Sequence, residues 1–138
     1  MPIHWNAQLA VGVEDIDQQH RELFGRINAL LAALSEHQGK DELDGLVTYL
    51  QAYVDEHFRA EERLMKTSGF PERVAHCGEH AVFEKECVAL AAALREEGPA
   101  SHLAVRASRI LVDWLRQHVL TRDRALGAYL TGSRRTVA

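Results

Sequence analysis

Apolar residues recur every three or four positions in four long segments of this chain, and three short breaks separate those segments. This spacing is the period of an amphipathic α-helix, in which 3.6 residues make one turn. The breaks read "HQGK", "SGFPER" and "GPAS", and each contains Gly or Pro. Because short connections make neighbouring helices antiparallel, we expect an all-α fold, an up-down-up-down four-helix bundle with an irregular N-terminal arm.

The 138 residues divide into an arm, a bundle and a tail. We expect the arm at residues 1–15, with Trp5 as its anchor, and the bundle at about 16–130. The last residues, 131–138, look like a frayed tail. The length suits one domain.

Capping residues and helix-ending glycines indicate where the helices begin and end. Asp15 or Asp17 is expected to cap the first helix, and Gly39 to end it. The second helix should begin near Asp41, and the third should cover about residues 72–97. On the fourth helix the inward face is expected to follow the helical period, through Ala104, Ser108, Leu111, Leu115 and His118.

Composition argues against several classes of function. The formal net charge is −4 with neutral histidines, which disfavours nucleic acid or an anionic membrane as the main partner. No apolar run approaches the ~20 residues that span a bilayer, and the N-terminus shows no signal-peptide pattern. We expect a cytoplasmic protein, and the well-charged helix exteriors favour a monomer.

The two cysteines, Cys77 and Cys87, are expected to be free thiols. On one helix they would lie about 15 Å apart along the axis. A disulfide needs Cα atoms within about 7 Å. Free thiols fit a reducing compartment. We expect Cys77 not to bind metal, and Cys87 to lie in the core.

Histidine is unusually frequent, with eight in the chain. In an antiparallel bundle, the early parts of helices one and three lie beside the late parts of helices two and four. Metal-type ligands occur at that level on all four inward faces, namely His20, His57, Glu61, His76, His80, His118 and Asp123. A buried carboxylate needs a partner, and a metal would supply one to all of these side chains.

The alternative interpretation is that these histidines are ordinary core residues. A single histidine on an apolar stripe is more often an ordinary core residue, and one His-x3-His pair is weak evidence. The conjunction of five histidines and two carboxylates at one depth favours metal binding. His4, His37 and His102 lie off these faces and are expected to be ordinary surface or arm residues.

Asp123 follows His118 by five residues. A straight α-helix would rotate by about 500° over this distance, and the two side chains would then point apart. We therefore predict that the fourth helix ends, kinks or tightens between Val119 and Asp123.

The ligand count bears on the metal. Seven ligands exceed the four of tetrahedral zinc and suit two octahedral ions. Imidazole and carboxylate without thiolate fit iron well, and manganese or zinc less well. If both carboxylates and one further oxygen bridge the two ions, one coordination position stays empty, and if three histidines bind one ion, that empty position is on the other ion.

These motifs resemble the hemerythrins, in particular the bacterial single-domain members. The resemblance covers nearly the whole chain, through "W" of the arm, "VGVEDIDQQH", "HFRAEERLM", "GFPERVAHCGEH" and "WLRQHVLTRD". It implies a non-haem di-iron centre, in which Glu61, Asp123 and an oxo or hydroxo oxygen bridge two Fe ions. It also implies that one iron is held by His76, His80 and His118.

By the same resemblance, His20 and His57 hold the second iron, which would take up O2. We form the hypothesis that Leu115, Phe24 and Phe58 wall the open position and exclude water and anions. The alternative is that these three side chains only pack the core.

The leading interpretation is a reversible O2-binding protein for carriage, storage or delivery, with an O2-consuming enzyme as a recipient. A sensor would need a separate signalling protein, since the chain shows no second domain. An oxidase or peroxidase would need a substrate pocket or an acid–base pair, and neither is evident, so we expect no enzyme activity. Iron storage would need a shell-forming assembly.

Overall fold

Four long helices make up the fold in the computed structural model, which describes the backbone of residues 3–136 and the side chains of residues 3–132. The first three are α1 Glu14–Ser35, α2 Lys40–Ser68 and α3 Arg73–Glu97. A short 3-10 turn, Ala7–Leu9, precedes them in the arm.

The fourth helix covers residues 101–136 and changes its hydrogen-bond pattern twice. It consists of α4 Ser101–Ser108, a first π-helical turn Arg109–Trp114, α5 Leu115–His118, a second π-helical turn Val119–Asp123, and α6 Arg124–Thr136. The residues that begin each new segment keep right-handed helical backbone angles, so the helix is continuous.

Short connections reverse the chain at residues 36–39, 69–72 and 98–100. α2 packs against α1 and α3, and the fourth helix packs against the same two neighbours. The predicted up-down-up-down bundle is therefore confirmed. Gly69 ends α2 as expected, with φ of 70° and its N–H donating to the carbonyl of Met65.

Two predicted boundary signals of α1 are wrong. The helix begins at Glu14 without a side-chain cap, so Asp15 and Asp17 lie inside its first turn, where negative charge suits the helix dipole. It ends at Ser35, and His37 rather than a glycine takes the left-handed conformation with φ of 54°. Gly39 instead precedes α2 in an extended conformation.

The arm lies against the bundle through buried residues and specific hydrogen bonds. Ile3 is fully buried, and its backbone N–H and C=O both bond to the side-chain amide of Asn28 at 2.8 and 2.7 Å. Asp17 Oδ1 accepts from the backbone N–H of Val11 at 2.8 Å. Trp5, the predicted anchor, is only half-buried, and the Arg21 guanidinium lies 4.2 Å from its ring centre.

Packing of the fourth helix differs from the expected face at its beginning. Leu111, Leu115 and His118 are buried as predicted, but Leu103 and Ala107 are buried in place of Ala104 and Ser108. The first π-helical turn explains the shift, because it places one extra residue in the helix and changes the phase of everything before it.

The fourth helix continues to Thr136, beyond the expected start of the tail, and residues 137–138 lie outside the described part of the chain. His4, His37 and His102 are exposed as predicted. Cys77 and Cys87 are free, and Cys87 is buried. Within residues 3–136 no helix has the length and hydropathy needed to cross a membrane.

Candidate metal centre

The bundle brings all seven predicted ligand residues together in its interior, and none of them exposes more than 2% of its surface. On each helix the ligand residues lie on one face, because they occupy positions in the apolar stripe. Residues three, four or seven apart along a helix point the same way. The predicted layer of side chains at one level of the bundle is therefore present.

Five of these residues form a three-histidine group. Its members are His76, His80, His118, Glu61 and Asp123, and one ligand atom from each lies within 4.8 Å of the others. Glu61 Oε1 is 3.3 Å from Nε2 of His76 and 3.1 Å from Nε2 of His80. Asp123 Oδ1 is 2.9 Å from Nε2 of His76 and 3.1 Å from Nε2 of His118.

The second oxygen of each carboxylate belongs to a two-histidine group with His20 and His57. Glu61 Oε2 lies 3.1 Å from Nε2 of His57 and 3.5 Å from Nε2 of His20. Asp123 Oδ2 lies 3.0 Å from Nε2 of His20. Glu61 and Asp123 therefore each span the two groups, as carboxylates that bridge two cations would.

Most of the inward-facing atoms lack a hydrogen-bond partner among the described residues. These atoms are both oxygens of Glu61, Oδ1 of Asp123 and Nε2 of His20, His76, His80 and His118. Unsatisfied buried polar atoms are costly. Imidazole nitrogens and carboxylate oxygens gathered in two such groups are a typical donor set for transition-metal ions, which would satisfy all of them.

Without metal, protons balance the charge. Burial opposes protonation of His20, but contacts with Asp123 and Glu61 outweigh it and raise its pKa to about 10. The same balance raises the pKa of His76 to about 9. Burial and the Glu61 charge oppose ionisation of Asp123, yet His118 and His20 lower its pKa. Metal binding at neutral pH must therefore displace protons from the histidines.

Hydrogen bonds behind the rings connect successive helices. Gln19 Oε1 accepts from Nδ1 of His57 at 2.7 Å. Glu62 Oε2 accepts from Nδ1 of His80 at 2.9 Å, and Glu79 Oε1 accepts from Nδ1 of His118 at 2.9 Å. Each bond places the proton on Nδ1 and leaves the lone pair of Nε2 for the centre.

None of these three supporting residues was predicted from the sequence. Each of them is the chain neighbour of a ligand on its own helix, yet it bonds to a ligand on the next helix. Polar residues directly beside a ligand were the available signal. It is a weak signal, since most residues flanking a buried stripe are polar.

The second π-helical turn brings Asp123 to the centre. The predicted departure from a regular α-helix between Val119 and Asp123 is confirmed in position, but its nature is the opposite of tightening. A π-helix bonds residue i to i+5, so its turn is wider and accommodates five residues. Asp123 therefore lies on the same side of the helix as His118.

Aromatic and aliphatic side chains surround the rings. Phe58 lies nearly parallel to His80, with ring centres 3.8 Å apart, and Phe24 is nearly parallel to His20 at 6.2 Å. Trp114, which was not predicted at the site, lies nearly parallel to His118 at 5.0 Å. Leu115 is fully buried one turn before His118. The site is therefore enclosed by apolar groups.

Comparison with known proteins points to one family. A sequence model described as "Hemerythrin HHE cation binding domain" matches residues 11–130. Bacteriohemerythrin of Methylococcus capsulatus is 28% identical over 130 residues, covering 91% of this chain and 93% of its own length. A hemerythrin-like protein of Naegleria gruberi is 32% identical over 89 residues, covering 64% and 69%.

Bacteriohemerythrin of Stenotrophomonas maltophilia is 35% identical over 81 residues, covering 59% of this chain. The match spans only 52%, about half, of the length of that relative. The family match covers most of the present chain, including every helix that contributes to the buried histidine and carboxylate cluster. The chain therefore belongs to the hemerythrin family.

Proposed function

We propose that this chain binds O2 reversibly at a non-haem di-iron centre, for carriage, storage or delivery of O2. The observation that carries the proposal is the division of seven buried residues into two groups that share both carboxylates. The proposed assignment is one iron on His76, His80 and His118, a second on His20 and His57, and Glu61 and Asp123 as bridges.

The donor set fits this cofactor. Imidazoles and carboxylates without a thiolate suit iron, and the buried atoms that lack hydrogen-bond partners need a cation. When bound, two ferrous ions with an oxo or hydroxo bridge supply the metal chemistry that reversible O2 binding requires. The protein contributes the coordination geometry, fixed ring orientations and a dry surrounding.

Three apolar side chains of the bundle interior have a protective role in this proposal. Leu115, Phe24 and Phe58 expose at most 2% of their surface. Between ring centres, Phe24 lies 6.2 Å from His20, and Phe58 lies 5.9 Å from His57 and 3.8 Å from His80. We assign these three side chains to excluding water and small anions from the O2 position.

Binding rather than catalysis is favoured by the other buried polar groups. Among residues 3–132, Asp17 is the only buried polar or charged side chain besides the seven. Its Oδ1 already accepts from the Val11 backbone N–H. General acid–base catalysis needs a positioned titratable group within reach of a substrate, and no buried carboxylate or imidazole in this part of the chain is left over for that role.

An optical experiment tests the O2 proposal. The protein is loaded anaerobically with ferrous iron, exposed to O2 and then flushed with inert gas. We expect a visible absorption band that forms with O2 and disappears on flushing over several cycles. A band that never forms, or a spectrum that converts at once to a stable oxidised form, would overturn reversible O2 binding and favour a redox enzyme or a sensor.

We further propose a monomer in the cytoplasm that delivers O2 to an O2-consuming enzyme. Free Cys77 and Cys87 fit a reducing compartment. A sizing column tests the oligomeric state: a monomer elutes near the 15.5 kDa of the chain, whereas a large shell would indicate iron storage.

A further inference from the structure

Carboxylates accept hydrogen bonds from two of the histidine rings in the three-histidine group. Nδ1 of His80 donates to Glu62 and Nδ1 of His118 donates to Glu79, both at 2.9 Å. Nδ1 of His76 has no hydrogen-bond partner among the described residues. Two of the three imidazoles in this group therefore have a carboxylate behind them.

The two-histidine group lacks such carboxylates. Nδ1 of His57 donates to the amide oxygen of Gln19 at 2.7 Å, and that acceptor carries no net charge. Nδ1 of His20 is buried without a hydrogen-bond partner in the described part of the chain. Neither imidazole in this group therefore has a negative charge behind it.

Arginines orient the two supporting carboxylates. Arg59 Nε lies 3.2 Å from Glu62 Oε1, and Arg122 Nε donates to Glu79 Oε2 at 2.5 Å. Arg122 contacts the Glu79 oxygen that His118 does not use, whereas Arg59 contacts both oxygens of Glu62 and donates from a terminal nitrogen to Oε2 at 3.2 Å. Each carboxylate is therefore held between a histidine and a guanidinium, which fixes its orientation toward the ring.

A carboxylate that accepts from Nδ1 increases the electron density on Nε2 and makes the imidazole a stronger ligand. An amide oxygen does this less, because it has no net charge. The three-histidine group also offers one imidazole more. Ligand number and supporting charge thus favour the same metal position.

We propose that Glu62 and Glu79 are positioning residues that make the three-histidine position the tighter of the two and the first to fill with metal. Gln19 keeps the two-histidine position weaker and more easily emptied. This inference rests on the proposed assignment of the seven ligands, but not on O2 binding. Loading is therefore sequential, and a chain with one metal ion carries it on His76, His80 and His118.

Titration of the metal-free chain with Co²⁺ tests the order of filling. Calorimetry measures the two affinities, and the visible Co²⁺ spectrum reports the ligand field. We expect two resolved steps. Replacement His57→Ala should remove the weaker step and keep the tighter one, and His118→Ala should weaken the tighter step.

Charge-neutral replacements then separate supporting charge from ligand number. Glu62→Gln and Glu79→Gln each keep an oxygen acceptor, and each should weaken the tighter step about 10–100-fold and leave the weaker step unchanged. Gln19→Glu should tighten the weaker step and bring the two affinities closer. The exposed Glu86 on α3 offers a matched control, and Glu86→Gln should change neither step.

Several outcomes would overturn the inference: equal affinities in the wild type, equal weakening of both steps by Glu79→Gln, or loss of the tighter step in His57→Ala. Should a Glu→Gln variant fail to fold, by circular dichroism of the metal-free chain, Gln19→Glu provides the decisive test. If the Co²⁺ steps behave as expected but the O2 band never forms, only the O2 proposal fails. If the O2 band forms but the Co²⁺ steps do not behave as expected, only the proposed order of filling fails.

Discussion

Nε2 of His118 lies 3.1 Å from Oδ1 of Asp123, although the two residues are five positions apart on one helix. A regular α-helix would point them in different directions. The π-helical turn Val119–Asp123 removes this conflict. π-helical turns are rare and occur often at functional sites, so this one is explained by the need for a second carboxylate.

Replacement Asp123→Asn should prevent the chain from holding two metal ions. The side chain keeps its size but loses its charge, and its oxygens face His20 at 3.0 Å and His76 at 2.9 Å. Elemental analysis after dialysis should find fewer than two ions per chain. Asp113, exposed on the same helix, serves as control: Asp113→Asn should retain full loading. Full loading of Asp123→Asn would contradict the bridging role.

Replacement Leu115→Ala should separate packing from protection of the O2 position. Leu115 and Leu111 are both buried on the fourth helix, and either alanine variant should lose about 3 kcal/mol of unfolding free energy. Only Leu115→Ala should also lose the O2-dependent absorption faster than the wild type. Equal rates of loss in the two variants would mean that Leu115 only packs the core.

The metal-free chain should lose stability as pH rises above neutral. The folded pKa values of His20, about 10, and His76, about 9, exceed the ordinary 6.5, so their protonation stabilises the folded state. That contribution is complete below pH 6.5 and is lost as pH rises through about 9 to 10.

The contribution of the carboxylates to stability has the opposite pH dependence. Histidine contacts lower the pKa of Glu61 and of Asp123 against burial, so their contribution is present above pH 4.5 and is lost in acid. Urea midpoints should therefore be highest between about pH 4.5 and 6.5. The zinc-loaded chain should change less on the alkaline side. A metal-free midpoint that rises from pH 7 to 9 would contradict this balance.

Replacement Gly127→Ala should displace the arm. A Cβ at Gly127 would lie 2.0 Å from the backbone oxygen of Val11. Although alanine is the better helix former, the clash should reduce the unfolding free energy by about 1–3 kcal/mol. Gly45 on α2 has nothing within 4 Å of an added Cβ, so Gly45→Ala should be neutral or stabilising. Urea denaturation followed by Trp fluorescence compares the two variants.

The two cysteines should react at different rates with a thiol reagent. Burial raises the pKa of Cys87 to about 12, whereas Cys77 is only half-buried and its pKa is raised less. Because the thiolate is the reactive form, Cys87 should react only when the chain unfolds. Mass spectrometry should find one modified thiol in the native protein and two in urea. Two fast thiols in the native protein would contradict the burial of Cys87.

Local rules were sufficient to predict the helices and the ligand layer. His20, His57, His76 and His80 occupy the same period as the leucines beside them, and three short breaks determine that neighbours run antiparallel. Both properties depend on residues near one another in the chain. This is why the bundle and the ligand cluster could be predicted before any contact was known.

The start of α1 shows where local rules fail. Asp17 looked like a cap, but its carboxylate bonds to the arm at Val11 instead. Ala104 and Ser108 fit the helical period, yet the π-helical turn after them moves Leu103 and Ala107 to the inside. The spacing of two ligands indicated the second π-helical turn, whereas no ligand pair marks the first one in the sequence.

The sequence by itself determined which residues could bind metal and on which face of which helix they lie. Only the tertiary structure decided how Glu61 and Asp123 divide their oxygens between two histidine groups, and which ring is supported by Gln19, Glu62 or Glu79. The physical reason is distance along the chain. Periodicity acts within a few residues, whereas these bonds join helices whose relative rotation depends on the packing of the whole bundle.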